Sequence, residues 1–334
     1  MRFILHASAL DGSDEVLSLI DRLVDRLADE VHHVEVPDSD LLKASAWYRD
    51  ARPTRRKVLT AAVATPPRKH VDGHGVHVRV VEVHSLADAR IADKVAHTPL
   101  TILVEDREAD GVLLDILVEE FGSPELRSLW KRAQEVTPKA IEIDTAGGVG
   151  AMPQRVVRAV EDASKEGRPV RLFVLCDSDR RWPGDSGHQS HRDIENVRLK
   201  CSDCSIPLHV LLKRNAENYI PDSVIKAARD DPRNQSDRHR FNALLRRTQM
   251  QRDHFPLKDG LKDKEREEAI VAGLYSPLDV PDLELLEERL FPKRPRPFLF
   301  LYNGRRADFS SHELRARDGA DEINALLDAI AAEL

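Results

Sequence analysis

Leu172–Arg180 reads LFVLCDSDR, an apolar run of strand length that stops at Asp177-Ser178-Asp179. Two other runs behave alike. Leu100–Val104 (LTILV) stops at Glu105, and Leu208–Leu212 (LHVLL) delivers Lys213, with Glu217 and Asn218 a turn further on. Near-continuous apolar strands suit a parallel sheet covered on both faces. Open α/β sheets of that kind place their ligands at the carboxyl ends of the strands. Carboxylate oxygens gathered there suit Mg²⁺ or Mn²⁺. The pattern points to metal-dependent chemistry on a phosphate ester.

Around these runs the punctuation is that of alternating strands and helices. Leu100–Val104 leads to a helix predicted over Asp110–Phe121, which Gly122 ends. Ala140–Ile143 forms the next strand and runs into Asp144-Thr145-Ala146-Gly147-Gly148, a glycine turn before a helix ending at Glu166. Gly167-Arg168-Pro169 breaks that helix, and the strand ending at Asp177 follows. A loop over Arg180–Gly187, a helix from His191 to Cys201 and the strand ending at Leu212 complete the unit. This β-α-β-α-β-α-β order implies a parallel sheet with right-handed crossovers.

The flanks divide the chain into three. Residues 1–98 read as a small α/β N-terminal region, with strands at 2–7, 33–36 and 76–83 and a helix over Ser13–Val31 whose Ser13-Asp14-Glu15 supplies its start. Residues 99–221 hold the α/β unit. Residues 222–334 read as mainly helical, broken at Pro232, Pro256, Pro277 and Pro281, with one late strand at Pro297–Tyr302 and a terminal helix at Asp318–Leu334. No apolar run approaches the roughly 20 residues a bilayer span needs, so no membrane partner is expected. The first fifteen residues read as a strand rather than a leader. Three cysteines in 334 residues argue for a reducing, cytoplasmic setting.

Net charge is −7 at pH 7, unlike a nucleic-acid coat protein. Its distribution is uneven. Lys226–Lys264 carries eleven Lys/Arg against six Asp, a local excess of about +5. Such a segment beside an acidic cluster fits a polyanion held over metal ions; a solvated helical face of mixed charge is the alternative. Cys201-x-x-Cys204 and His188-x-x-His191 together offer four zinc-type ligands. If 191–201 is helical, however, the pairs stand about 15 Å apart, so the cysteines are expected to pack. His70, His74, His77 and His84 are expected at the surface.

The acidic residues also carry a resemblance. Glu105 after the first strand of the unit and Asp177-Ser178-Asp179 after the third resemble the TOPRIM domain of topoisomerases, DnaG-type primases and OLD-family nucleases. The likeness is greatest to the OLD-like nucleases and their stand-alone relatives in anti-phage defence. There, a glycine-rich turn after strand two resembles Gly147-Gly148. A lysine after strand four precedes an E-N-Y signature, as in Lys213-Arg214-Asn215-Ala216-Glu217-Asn218-Tyr219. The usual glycine after the glutamate is Asp106 here, and the next expected acid falls on Ala109, between Glu108 and Asp110. No Gly-x4-Gly-Lys-Ser/Thr occurs in these residues.

The resemblance implies a Rossmann-like TOPRIM sheet and phosphodiester cleavage with two metal ions, Mg²⁺ or Mn²⁺, one activating water and the other steadying the leaving oxygen. Glu105, Asp177 and Asp179 would hold the ions, with Asp110 or Glu108 completing a site and Lys213 neutralising transition-state charge. Glu217 either ligates or belongs to an anchoring Glu217-Asn218-Tyr219 turn. Lys258, in HFPLKDG, is a further phosphate contact. The expectation is a nuclease acting on nucleic acid, a phage-defence effector controlled by a partner ATPase, with homo-oligomerisation left open. Two alternatives stand beside it: an RNase, for example one directed at tRNA, and a non-catalytic nucleic-acid-binding or scaffold protein on the same fold.

Overall fold

Two parallel sheets organise the chain. The computed structural model describes residues 1–27, 29–64, 80–290, 309–318 and 321–334. Strands are numbered below in chain order, as are helices of eight or more residues.

The N-terminal sheet has strands β1 (Arg2–Leu5), β2 (His33–Glu35) and β3 (Val80–Val83) in the order β2-β1-β3. Helices α1 (Asp14–Leu27), α2 (Pro53–Ala64) and α3 (Leu86–His97) accompany it. Its core is its own: Phe3, Leu5, Ile20, Leu23, Trp47 and Leu59 form one cluster with the buried alanines of α3. Positions 76–79 of the third expected strand lie outside the described residues, as do His70, His74 and His77.

The second sheet has four parallel strands, β4 (Leu100–Val104), β5 (Ile141–Thr145), β6 (Leu172–Cys176) and β7 (Leu208–Val210), in the order β5-β4-β6-β7. Every residue of β6 is buried, which is why its sequence shows no polar alternation. The two faces are distinct. Ile102, Val104, Phe173 and Leu175 pack with helices α4 (Arg107–Phe121) and α5 (Pro124–Glu135). Leu103, Leu172, Val174 and Cys176 pack with α6 (Met152–Lys165) and α7 (Gln189–Asp203). Because β5 and β6 lie on opposite sides of β4, the winding reverses between β4 and β6. That reversal opens the crevice in which doubly wound sheets hold ligands.

Among the departures from the sequence reading, two concern the helices after β4. Helix α4 starts at Arg107, a turn before the expected Asp110, because the Asp106 side chain accepts the Glu108 N–H at 3.0 Å and caps it there. Helix α5 was absent from the expectation. It is capped by Ser123, begins with Pro124, and buries Leu126, Trp130 and Ala133.

Beyond residue 221 the described chain is helical: α8 (Asp222–Asp230), α9 (Arg238–Leu245), α10 (Asp263–Val271), α11 (Ser311–Asp318) and α12 (Glu322–Glu333). These helices share one apolar cluster with the sheet, running from Leu100 through Phe241, Phe255 and Phe309 to Leu334. The expected strand Pro297–Tyr302 lies outside the described residues. Buried Glu322 ties the terminal helix to the end of β7: its carboxylate accepts from the Tyr219 hydroxyl, from the Leu212 N–H at 2.7 Å, and faces His209 at 3.1 Å. Glu322→Ala strands the buried Tyr219 hydroxyl and leaves the part-buried Leu212 N–H without its acceptor, so a loss of about 1–3 kcal/mol is expected, read as a lower urea midpoint.

Among the described residues no helix is long and apolar enough to cross a membrane. Helix α7 is capped by His188 at one end and by Cys204 at the other. The Cys/His pairs therefore stand apart, and Cys201 is packed in the core.

Candidate functional site

Four elements deliver acids to the crevice between β4 and β6. Glu105 leaves the end of β4, and its Oε1 accepts the backbone N–H of Asp177, at the end of β6, at 3.1 Å. The two residues, 72 apart in sequence, therefore touch. Asp177 is 7% exposed, and its Oδ1 accepts the Ala216 N–H at 3.0 Å. Asp179 sits in the left-handed region at φ 49°, with its N–H donating to the Arg214 carbonyl at 2.8 Å. Few non-glycine residues adopt that conformation. Here the Ser178 hydroxyl, donating to the Lys213 carbonyl at 2.6 Å, helps hold the loop in it.

Asp110 comes from the first turn of α4. It is 6% exposed, and its Oδ2 accepts the Asp106 N–H at 2.9 Å. Glu108, two positions earlier, is exposed and lines a shallow hollow beside β5 with Arg107, Gly111 and Asp115. Residues two apart on a helix point about 200° apart, so only one of the pair can face the crevice. It is Asp110. The Asp that stands where the resembled family has glycine is thus the cap that starts α4 and the donor that fixes Asp110.

Glu217 supplies the fifth carboxylate, from a 3₁₀ turn over Ala216–Tyr219. It is wholly buried, at 0% exposure, and neither carboxylate oxygen receives a hydrogen bond. Its one partner there is the Lys258 ammonium, 2.8 Å from Oε1 as an ion pair. The Glu-Asn-Tyr turn divides its labour. Asn218 donates to the carbonyls of Arg252 and Phe255 at 2.7 and 3.0 Å, and Tyr219 reaches Glu322, while Glu217 turns inward.

The electrostatics follow from packing acids together away from water. Burial, then Asp179 and Asp110, push Glu105 up to about 7. Burial pushes Asp110 to about 6, against the pull of the Asp106 N–H. Burial and the Glu105, Asp110 and Glu217 charges raise Asp177 well above the carboxylate range. Burial works against the Lys258 ammonium, but Glu217 and Asp177 outweigh it and hold the proton more firmly than usual. These groups titrate as one coupled system.

Lys213 does not join them. Its ammonium pairs with Asp253 at 2.9 Å and lies 5.2 Å from the centre of the Tyr219 ring, and burial lowers its pKa. Lys258, not Lys213, is the cation that faces the acids. The Lys226–Lys264 segment is likewise less basic than its composition. Arg229, Arg233, Arg238, Arg240, Arg246, Arg247 and Arg252 all pair with carboxylates, leaving a mixed-charge helical face.

Do these residues fit a divalent ion? The donors are all carboxylate oxygens, as Mg²⁺ and Mn²⁺ prefer. A buried carboxylate is costly unless a cation satisfies it; Glu217 has the Lys258 ammonium on Oε1, so an ion bound there would share the carboxylate with that ammonium. The acids are nonetheless spread out. Among the described residues the only three ligand atoms of separate residues that all lie within 4.8 Å of one another belong to His6, Glu82 and His84, on the other sheet. The crevice acids therefore lie near enough to raise one another's pKa, yet no three of their ligand atoms share one coordination sphere. Beside it, Thr145 Oγ1 donates to the Glu105 carbonyl at 2.7 Å, and Gly147 and Gly148 follow with φ of 79° and 117°. A Cβ at either glycine would meet nothing within 4 Å, so backbone conformation rather than space requires glycine there.

Lys258→Met leaves Glu217 buried and unpaired. A loss of about 1–3 kcal/mol in metal-free stability is expected, largely recovered in the Lys258→Met/Glu217→Gln double variant, both read by thermal melting. No protein-family model, curated protein or solved structure matches the chain.

Proposed function

We propose that this chain is a TOPRIM-type nuclease whose crevice between β4 and β6 holds Mg²⁺ or Mn²⁺ and cleaves phosphodiester bonds. The observation that carries the reading is the contact of Glu105 with the Asp177 backbone at the winding reversal, with Asp110 and Glu217 near enough for their charges to act on Asp177. The order of the motifs supports it: a glutamate after the first strand of the sheet, Asp-x-Asp after the third, and Glu-Asn-Tyr after the fourth.

Glu105, Asp177, Asp179 and Asp110 would hold the ions, with Glu217 beneath them. Ions bound there supply an activated water and charge stabilisation at the leaving oxygen. The rest falls to the chain's own groups. Backbone N–H groups of Ala216 and Asp106 fix the oxygens of Asp177 and Asp110. Lys258 balances the cluster's charge, and in this reading it takes the phosphate-neutralising role that sequence position suggested for Lys213. Lys213 acts through its carbonyl, which steadies the Asp177–Asp179 loop. A cytoplasmic setting and control by a separate ATPase belong to the same reading.

Incubation with plasmid DNA and with structured RNA, in Mg²⁺, Mn²⁺ or EDTA, tests it. Cleavage of at least one substrate that EDTA stops is expected. Binding to nucleic acid without any cleavage, in every ion, favours the scaffold reading instead.

A further inference from the structure

We propose that His6, Glu82 and His84 form a separate binding site for a zinc-type transition-metal ion, at the carboxyl edge of the N-terminal sheet. Strand pairing creates it. β1 and β3 run parallel with Ile4 opposite Glu82 and Leu5 opposite Val83. The next step of the ladder, His6 N–H to the Val83 carbonyl at 3.1 Å, sets His6 beside His84. Glu82 on β3 and His84, the first residue past its end, lie two apart in sequence, the spacing that puts side chains on one face of an extended chain. The backbone around them is held: the Ser8 hydroxyl donates to the His84 carbonyl at 2.9 Å, and Asp88 accepts the His84 N–H at 3.2 Å.

Each side chain offers a ligand atom within 4.8 Å of the other two. The imidazoles stack with centroids 3.7 Å apart and planes 18° from parallel, so one ring has to turn for both nitrogen lone pairs to reach a single ion. Both Nε2 atoms turn to the same oxygen, Glu82 Oε2, from His84 at 3.1 Å and from His6 at 3.7 Å. Around a tetrahedral zinc ion with bonds of about 2.0–2.1 Å, ligand atoms stand about 3.3 Å apart. Observed spacings bracket that value. A second observation points the same way: His6 Nε2 is buried yet has no hydrogen-bond partner. A metal supplies what it lacks.

Two imidazole nitrogens and one carboxylate select differently from the all-oxygen crevice. Imidazole suits zinc and its first-row neighbours, whereas carboxylate alone suits Mg²⁺ and Mn²⁺. Glu82 and His84 are 58% and 49% exposed at the side chain, leaving open positions for water or a fourth ligand, as in three-ligand zinc sites.

Titrating the metal-free full chain with Co²⁺, followed by Zn²⁺ displacement, tests the site. With excess Mg²⁺ present to occupy the acidic crevice, the expected result is a visible d–d absorption saturating at one ion per chain and displaced by Zn²⁺. His84→Ala and Glu82→Gln should each weaken zinc binding by at least about tenfold, and Asp177→Asn should leave it unchanged. Glu82→Gln, isosteric and exposed, keeps the result readable if the histidine variant unfolds. Zinc affinity equal in both variants and the parent, no binding tighter than millimolar, or loss of zinc in Asp177→Asn each overturns the proposal.

Discussion

Asp177→Asn is expected to abolish metal-dependent cleavage, by at least about a thousandfold, while raising the melting temperature of the metal-free protein by about 2–4 °C. The opposed signs arise from one feature. Asparagine keeps an oxygen to accept the Ala216 N–H, now met by Asp177 Oδ1 at 3.0 Å, so the loop loses no hydrogen bond. What disappears is a buried acid whose ionised form is opposed by Glu105, Asp110 and Glu217, so that folding costs it a proton uptake. Relief of that repulsion is worth on the order of 1 kcal/mol in the empty protein, whereas a cation loses a ligand. Sites strained for function commonly behave this way. A variant that cleaves like the parent contradicts the nuclease reading. One that loses activity and melts lower assigns Asp177 a structural role.

The second large effect is a pH dependence opposite to that of an ordinary carboxylate-rich protein. Glu105 and Asp110 carry folded-state pKa values raised to about 7 and about 6, chiefly by burial, and Asp177 is raised as well, by burial and the neighbouring acids. In the unfolded chain all three titrate near 4. Between those limits the native state holds more protons than the unfolded one, so stability falls as pH rises. Metal-free protein should be most stable with respect to these groups below about pH 4 and lose several kcal/mol from them on the way to pH 8. Saturating Mg²⁺ or Mn²⁺ should restore it, and restore more at pH 8 than at pH 5, since the ion competes with those protons. Melting curves at several pH values with and without metal check this. A metal-induced gain that is flat with pH, or greater at pH 5, contradicts the placement of the ions among these acids.

The strand ends were legible in the sequence because the strands are buried on both faces and so read as unbroken apolar runs. LFVLC and LTILV could each end in only one place, and Glu105 and Asp177 fall there. Other features depended on geometry that linear spacing does not carry. Glu108 and Asp110 are equivalent acids in sequence, and the choice between them rests on where α4 begins, which the Asp106 cap decides. Lys213 follows a strand end, as a catalytic lysine should, but Asp253, 40 residues on, captures it. Lys258, in a proline-punctuated loop, had no periodic signal and yet faces the acids. Helix α5 was missed although local signals for it were present, with Ser123-Pro124-Glu125 as a start and Leu126, Trp130 and Ala133 at helical spacing. His6 and Glu82 stand 76 residues apart, and only the parallel pairing of β1 with β3 joins them.

Mn²⁺ binding to the full chain at pH 7.5, followed by electron paramagnetic resonance and competed with excess Mg²⁺, tests the acidic crevice most directly. The parent should bind Mn²⁺ in a form that Mg²⁺ displaces, and Glu105→Gln/Asp177→Asn should weaken it by at least about tenfold. Equal affinity in the parent and the double variant would show that these carboxylates do not hold the ion.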